Sequence, residues 1–222
     1  MIEQFLSEVK VDKLWEATVE TIYMTSISVV ATFIIGIILG LVLYLTSEGS
    51  LWENRVVNFI FSTIVNVFRS IPFIILIILL IPFTKVLVGT MLGADAALPA
   101  LIIGTAPFYA RMVEIALREI DKGVIEASQA MGANDWDIIR KVLIPESLPA
   151  LISGITVTSI ALISYTAMAG AIGAGGLGHF AYLEGWQRNN SLITLVATVV
   201  ILIIVFIVQW LGDYFSHKTD KR

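Results

Sequence analysis

Long stretches without a charged residue are the feature that most restricts how this chain can fold. Residues 21–47 and 147–183 contain no Asp, Glu, Lys or Arg. A helix needs about 20 mainly apolar residues to cross the hydrocarbon core of a bilayer. Of all residues, 57% are hydrophobic and only 14% are charged, whereas about 25% are charged in soluble domains. The sequence therefore predicts an all-α integral membrane protein.

The apolar stretches divide into five expected transmembrane helices, at residues 22–45, 56–80, 98–117, 148–171 and 190–212. The second of these is interrupted by Arg69 and Pro72. The acidic start of the chain lacks the basic region and the cleavage site of a secretory signal peptide, so we expect the first helix to remain as an anchor. The predicted organisation is a single membrane domain, residues 22–212, between two short terminal segments.

Five crossings place the termini on opposite sides of the membrane, and the basic residues select the orientation. One side holds Arg55, Arg111, Arg118, Lys122, Arg140, Lys141, Lys218, Lys221 and Arg222. The other side holds only Lys10, Lys13, Lys85 and Arg188. The side richer in Lys and Arg is expected to be cytoplasmic. Residues 1–21 are then extracytoplasmic, whereas the loop 118–147 and the tail 213–222 are cytoplasmic.

The loop 118–147 is the longest polar connection in the chain and has the pattern of two short helices. Gly123 is expected to end the preceding helix in a left-handed conformation, and Gly132 is expected to end the first short helix. Asn134 is placed to cap the second helix, which Pro145 is expected to stop. Such a loop suits docking to a cytoplasmic protein. The alternative is an amphipathic loop that lies on the membrane surface.

The same loop resembles the EAA loop of ABC-importer permeases, which is written E-A-A-x3-G-x9-I-x-L-P. Glu126, Ala127, Gly132 and Pro145 match this pattern outright, and three further positions carry conservative replacements: Ser128, Val142 and Ile144. The resemblance implies that the loop fits into a cleft of an ATP-binding subunit. It implies a set of contact residues: Glu126, Ala127, Ser128, Ala130, Met131, Gly132, Ala133 and Pro145.

Longer segments narrow the resemblance. Residues 68–76 are similar to the second span of amino-acid-type permeases, and residues 107–114, 125–133 and 165–178 are similar to methionine importer permeases. This implies the type I ABC importer permease fold in a bacterial cytoplasmic membrane. The implied cargo is methionine, in both hands, and related compounds. The implied partners are a second copy of the chain, two ATP-binding subunits and an extracytoplasmic methionine-binding protein.

No residue pattern indicates an enzyme, a nucleic-acid-binding protein or a cofactor site in this chain. The sequence has no cysteine, and its two histidines lie far apart. The run 170–178 holds five glycines but no following Lys-Ser or Lys-Thr, so it is not a phosphate-binding loop. A turn of the backbone at the extracellular mouth is the better interpretation. The resemblance to ABC-importer permeases implies that ATP and Mg²⁺ bind to the partner subunit.

A polar stripe in the second predicted span is the candidate for the transport path. Its members recur at intervals of three and four residues and are Arg55, Asn58, Ser62, Asn66 and Arg69. The candidate path residues among them are Asn58, Ser62, Asn66 and Arg69, together with the neighbouring Ser70. A polar face within the membrane must meet protein or water, so the stripe either lines the path or forms a helix–helix seam. If Pro72 breaks the helix, the alternative for Arg69 is a position near the cytoplasmic interface. Met168 is a gate candidate through the resemblance, although a lone methionine is usually core filler.

Two further pairs are interpreted as structural. Gly36 and Gly40 permit close packing of the first span, and Arg111 and Glu114 are spaced for an ion pair. The remaining alternatives are a permease for another small solute, an ion-coupled secondary carrier and a scaffold subunit that does not transport. The carrier is disfavoured because the sequence shows no internal repeat and Glu114 is the sole acidic residue within a predicted span.

Overall fold

The computed structural model describes residues 10–220, and these residues form helices and short connections without a β-strand. The predicted terminal segments 1–21 and 213–222 are therefore described only in part, and Lys221 and Arg222 lie outside the described range. The α-helices are α1 Val11–Leu45, α2 Arg55–Ser70, α3 Phe73–Val88, α4 Ala94–Arg118, α5 Lys122–Ala130, α6 Asp135–Ile138, α7 Ile144–Ala171, α8 Gly176–Phe180 and α9 Ser191–Thr219. Two π-helical segments, Ile139–Leu143 and Ala181–Trp186, extend α6 and α8.

Four helical stretches in the described residues are long and apolar enough to cross a membrane: α1, α4, the continuous stretch Asp135–Ala171, and α9. The second predicted span is not one straight helix, because α2 and α3 meet at an angle of 109°. Pro72 causes the break, since it lacks an N–H and disfavours the helical conformation of the residue before it. Ile71 is accordingly extended, with φ −81° and ψ 124°. The predicted total of five crossings is therefore reached only if α2 and α3 together count as one crossing.

Two glycines allow α1 to pack closely along α4. A Cβ atom on Gly36 would lie 2.5 Å from Cδ1 of Tyr109, and one on Gly40 would lie 2.5 Å from Cβ of Val113. Buried Thr32 and Thr105 also share a hydrogen bond of 2.7 Å between their hydroxyls in this interface. The packing role predicted for the two glycines is confirmed, because neither position has room for a side chain.

The structure corrects two expectations about the loop 118–147. Gly123 does not end the third span, since that helix ends at Arg118 and Gly123 lies in the first turn of α5. Pro145 does not stop the second short helix either, because the helical path runs on from Asp135 to Ala171. Pro145 lies in the first turn of α7, directly after the π-helical segment Ile139–Leu143. That wider turn accommodates the ring and the missing donor of proline.

At the opposite end of α1, the glycine-rich run 170–178 turns back toward the helix. Glu20 accepts a hydrogen bond from the backbone N–H of Gly176 at 2.6 Å, and Thr21 accepts one from Leu177 at 2.8 Å. Nearby, the carboxylate of Glu184 forms ion pairs with Lys10, Lys13 and Arg188. Hydrogen bonds from the two lysines lower the pKa of Glu184 to about 2. These contacts fix the start of α1 against the segment between α7 and α9.

Candidate functional site

The short helix α5 is delimited by its own sequence. Asp121 caps its first turn, accepting a hydrogen bond from the backbone N–H of Gly123 at 2.7 Å. At its end Gly132 has φ +83°, a left-handed conformation that glycine adopts without steric cost. The N–H groups of Gly132 and Ala133 bond back to Gln129 and Ser128. The predicted helix stop at Gly132 is confirmed, and so is the predicted cap at Asn134, which accepts from the N–H of Asp137 at 2.9 Å.

Most of the residues that the EAA resemblance singled out lie on the open face of α5 and its turn. The exposed ones are Glu126, Ala127, Ala130, Met131 and Gly132, together with Pro145 at the start of α7. Met131 is 82% exposed, which is unusual for a methionine. Ser128 differs, because it is buried and its hydroxyl donates to the carbonyl of Val124 at 2.8 Å. Ser128 thus belongs to the inner face of the helix, and Ala133 is half-buried.

A tryptophan that the sequence analysis missed joins this loop to the connection between α1 and α2. The indole Nε1 of Trp52 donates to Oδ2 of Asp135 at 2.7 Å. Its ring also meets Trp136 edge to face, with ring centroids 6.1 Å apart. The presence of two tryptophans in polar connections of the same predicted side was the available signal. Through these contacts the loop 118–147 and residues 46–54 form one surface.

Beneath this surface, a buried cluster ties the loop to the long helices. Ile138, Ile139 and Leu143 pack against Tyr44 of α1 and Leu117 of α4. Dense packing of this kind transmits displacement, because interiors have few voids and low compressibility. A movement of the loop 118–147 therefore has a direct route into α1, α4 and α7.

A charged group also lies within α4 beside this cluster. The side chain of Glu114 is only 4% exposed and pairs with Arg111 at 2.6 Å and with Arg118 at 2.8 Å. The predicted pair of Arg111 and Glu114 is confirmed, whereas the partnership of Arg118 was not foreseen. Both arginines remain partly exposed, so this buried carboxylate is neutralised by cations that still reach water.

The polar stripe of α2 divides into two parts with different environments. Asn58 is structural, because its Nδ2 donates to the carbonyl of Leu43 at 2.8 Å and to the hydroxyl of Thr46 at 3.1 Å. Ser62 is half-buried, whereas Asn66, Arg69 and the neighbouring Ser70 are exposed in the protomer. The open part of the stripe is therefore the part near the break between α2 and α3.

A cavity of about 250 Å³ lies at this break. Its walls include Phe68, Arg69, Phe73, Gly104, Phe108 and Tyr165. The Phe73 and Tyr165 rings are stacked, with centroids 4.4 Å apart, and the Arg69 guanidinium lies 5.9 Å from the Phe108 ring centroid. Met168, three residues after Tyr165 on α7, is 46% exposed. Helices α2, α3, α4 and α7 thus meet around a small cavity whose lining includes the positively charged side chain of Arg69.

Comparison with known proteins gives this arrangement a family. Residues 32–221 match the model of the family described as binding-protein-dependent transport system inner membrane components. The chain belongs to this family. It is 65% identical to the methionine import system permease protein MetP of Bacillus subtilis over 222 residues, which is 100% of both chains. It is 52% identical to the D-methionine transport system permease protein MetI of Escherichia coli K12 over 151 residues, 68% of this chain and 70% of that one.

Solved structures give the same result. A chain in an inward-facing structure of the MetNI methionine ABC transporter has a TM-score of 0.94 and 45% identity, covering 96% of this family member and 98% of that chain. An amino acid ABC transporter solved with histidines has a TM-score of 0.79 at 18% identity and shows the fold alone. The family and the fold predicted from the sequence are confirmed. As an inner-membrane component with several apolar spans, the protein is a multi-pass protein of the cytoplasmic membrane, as predicted.

Proposed function

We propose that this family member is the membrane-spanning subunit of an ATP-driven importer for methionine, in both hands, and for related compounds. The observation that carries the proposal is its 65% identity, over the full length of both chains, to a methionine import permease. Membership of a permease family makes the chain a transport subunit, so it is not itself an enzyme. ATP and Mg²⁺ belong to a separate ATP-binding subunit.

The proposed assembly has two copies of the chain and two ATP-binding subunits, with an extracytoplasmic methionine-binding protein that delivers the cargo. In this arrangement residues 1–21 are extracytoplasmic, and the loop 118–147 and the tail 213–222 face the cytoplasm. The exposed face of α5, with Glu126, Ala127, Ala130 and Met131, would enter a cleft of the ATP-binding subunit. Closure of that subunit then biases the pore toward one of two states, because it binds those states differently.

Reconstituted vesicles test this function directly. The chain, its ATP-binding subunit and loaded binding protein should together accumulate methionine in an ATP-dependent manner, whereas the chain alone should hydrolyse no ATP. Accumulation of a different solute in preference to methionine would support a permease for that solute. Uptake driven by a proton or sodium gradient without ATP would support the carrier, and robust hydrolysis by the chain alone would contradict the proposal.

The transport path is proposed to run along the open part of the α2 stripe and past Met168. Because the chain has no cysteine, single cysteines report water access cleanly. We expect Asn66→Cys and Met168→Cys to react with small water-soluble thiol reagents in the assembled complex, with rates that change when ATP is trapped. The control is Ile203→Cys, which should stay unreactive. Ile203 lies on α9, is 51% exposed in the protomer and is expected to face lipid.

Equal lack of reaction at all three positions would assign the stripe to helix packing. If Asn66→Cys reacts at the same rate with and without trapped ATP, the position is accessible to water but does not belong to the part of the path that changes during transport. Uptake by each cysteine variant, measured before labelling, shows whether the assembled transporter is intact.

A further inference from the structure

Arg69 has no acidic partner among the described residues, although it lies within a stretch that was predicted to cross the membrane. In the part of the chain that the structure describes, the ion pairs engage Arg55, Arg111, Arg118 and Arg188 but provide no carboxylate to Arg69. The cavity it lines also contacts Gly104, which lies near the middle of α4. Ionisable side chains within membrane segments usually face a functional cavity and have a specific partner. The partner of Arg69 is therefore expected to enter from outside the protomer.

The backbone beside Arg69 is interrupted in a way that a lipid-facing helix does not tolerate. Ile71 and Pro72 are non-helical, and the helix restarts at Phe73. Within a membrane, irregular backbone survives only where protein covers it or where it lines a cavity. In transporters, broken helices of this kind mark ligand sites, since the start of the second half-helix adds positive potential. The C-terminus of α2 at the same break carries the opposite potential, so Arg69, in the last turn of α2, supplies the positive charge of the cavity.

The remaining walls are apolar and aromatic. Phe68, Phe108 and Tyr165 line the cavity together with Arg69, whose guanidinium lies over the Phe108 ring, and the buried side chain of Leu76 also lines it. Gly104 keeps this space open, because a Cβ there would lie 3.2 Å from the side chains of Leu76 and Phe73. The lining, as far as the described residues define it, has no carboxylate to attract a second positive charge. A volume of about 250 Å³ suits one small molecule.

We propose that this cavity is a transient binding site for the transported amino acid, whose α-carboxylate pairs with Arg69. Arginine and a carboxylate match in charge and in planar, two-donor geometry. The apolar side chain of the substrate lies against the aromatic wall, where a thioether sulfur makes favourable contacts. Its ammonium faces the open side of the cavity or an aromatic ring. The site selects an amino acid with an uncharged side chain. It deepens the proposed function and rests on it.

The test uses the complete permease–ATPase complex and radiolabelled L-methionine without ATP. We expect saturable binding that weakens at least tenfold in Arg69→Gln and by a smaller factor in Arg69→Lys, which keeps the charge but loses the planar fork. Methioninol, which has no carboxylate, and lysine, whose side chain is charged, should compete at least tenfold less well than unlabelled L-methionine. Lys85→Gln removes a charge from the far end of α3 and should bind as the parent does.

Methionine uptake by the same variants separates this inference from the proposed function. Arg69→Gln should lose most uptake while loaded binding protein still stimulates ATP hydrolysis, because the loop 118–147 is unchanged. Absence of saturable binding in the parent, or equal competition by methioninol, overturns the site. Failure of the parent complex to import methionine overturns the proposed function instead.

One rival partner for Arg69 is a carboxylate of the second copy of the chain. In that case Arg69→Gln would break the dimer on size-exclusion chromatography and Arg69→Lys would restore it, with methioninol competing as well as methionine. That combination of results also overturns the site.

Discussion

Replacing Gly132 with valine is expected to abolish transport while leaving the membrane helices folded. Gly132 has φ +83°, and a branched residue held there is strained by about 1–3 kcal/mol. Within the protomer an added Cβ would meet nothing within 4 Å. The side chain would therefore obstruct only a docked partner. Reconstituted complexes of Gly132→Val should show either weak association with the ATP-binding subunit or hydrolysis that ignores loaded binding protein.

The chain supplies a closely matched control for this experiment. Gly89 has φ +85°, and a Cβ there would likewise meet nothing within 4 Å, but it lies at the end of α3, far along the chain from the loop. Gly89→Val therefore carries the same backbone strain without touching the loop 118–147, and it should retain uptake. Glu126→Ala should reduce uptake more mildly, as the loss of one exposed charge. Normal uptake and stimulated hydrolysis in Gly132→Val would show that this loop does not couple the two subunits.

Replacing Gly40 with valine is the second change with a large expected effect. This change should lower the stability of the folded protein, because it disrupts the packing of α1 against α4. A Cβ at this position would lie 2.5 Å from Cβ of Val113 and 2.7 Å from the carbonyl oxygen of Ala110. The second contact is with backbone, so no rotamer change on α4 relieves it. Overpacking a well-packed interface typically costs about 1–3 kcal/mol, and occasionally more. Thermal unfolding of the detergent-solubilised protein should show a much lower Tm, or no monodisperse protein at all.

A substitution at Gly36, in the same interface, gives a second Tm with which the effect at Gly40 can be compared. The three nearest atoms to a Cβ there all belong to the side chain of Tyr109, whereas the nearest atoms at Gly40 include the backbone carbonyl oxygen of Ala110. Gly36→Ala should therefore destabilise the protein less than Gly40→Ala. Ile38→Ala should change the Tm least, because Ile38 on α1 is 57% exposed. If Gly40→Ala matched Ile38→Ala, the close approach of α1 and α4 would be wrong.

The sequence was sufficient for features that depend on local composition. Uninterrupted apolar stretches predicted α1, α7 and α9, because a charge-free run of this length has few stable forms outside lipid. Gly132 and Asn134 were placed correctly, since left-handed turns and helix caps depend on one or two residues. The family, too, followed from residues at fixed spacings in a single polar loop.

The prolines were harder to interpret, because their effect depends on the surrounding structure. Pro145 was expected to stop a helix and Pro72 only to interrupt a predicted span, yet Pro72 breaks the helix and Pro145 does not. Near Pro145 a π-helical segment and the packing of Leu143 in the core preserve a continuous path. Near Pro72 the turn instead opens beside a cavity. Local propensity could not distinguish these cases, since tertiary packing supplies the difference.

Contacts between distant segments were the other part that the sequence did not reveal. Trp52 and Asp135 are 83 residues apart and Lys10 and Glu184 are 174 apart, and no periodicity within one helix relates such positions. The same limit applied to Asn58. Its helical spacing placed it in the polar stripe, but its partners Leu43 and Thr46 belong to the preceding segment. The period of a sequence pattern predicts which face of a helix a residue occupies, whereas the contacts of that face depend on the neighbouring segments.

The length of α1 bears on how the two ends of the protein can move. Its 35 residues extend about 52 Å at 1.5 Å per residue, well beyond a hydrocarbon core of about 30 Å. Near one end Glu20 and Thr21 hold the glycine-rich turn, and just past the other Trp52 contacts Asp135. A continuous helix acts as a stiff rod that does not shorten. A displacement imposed at one end must then reach the other as tilt or translation, which favours a rocking lever over two independently hinged gates.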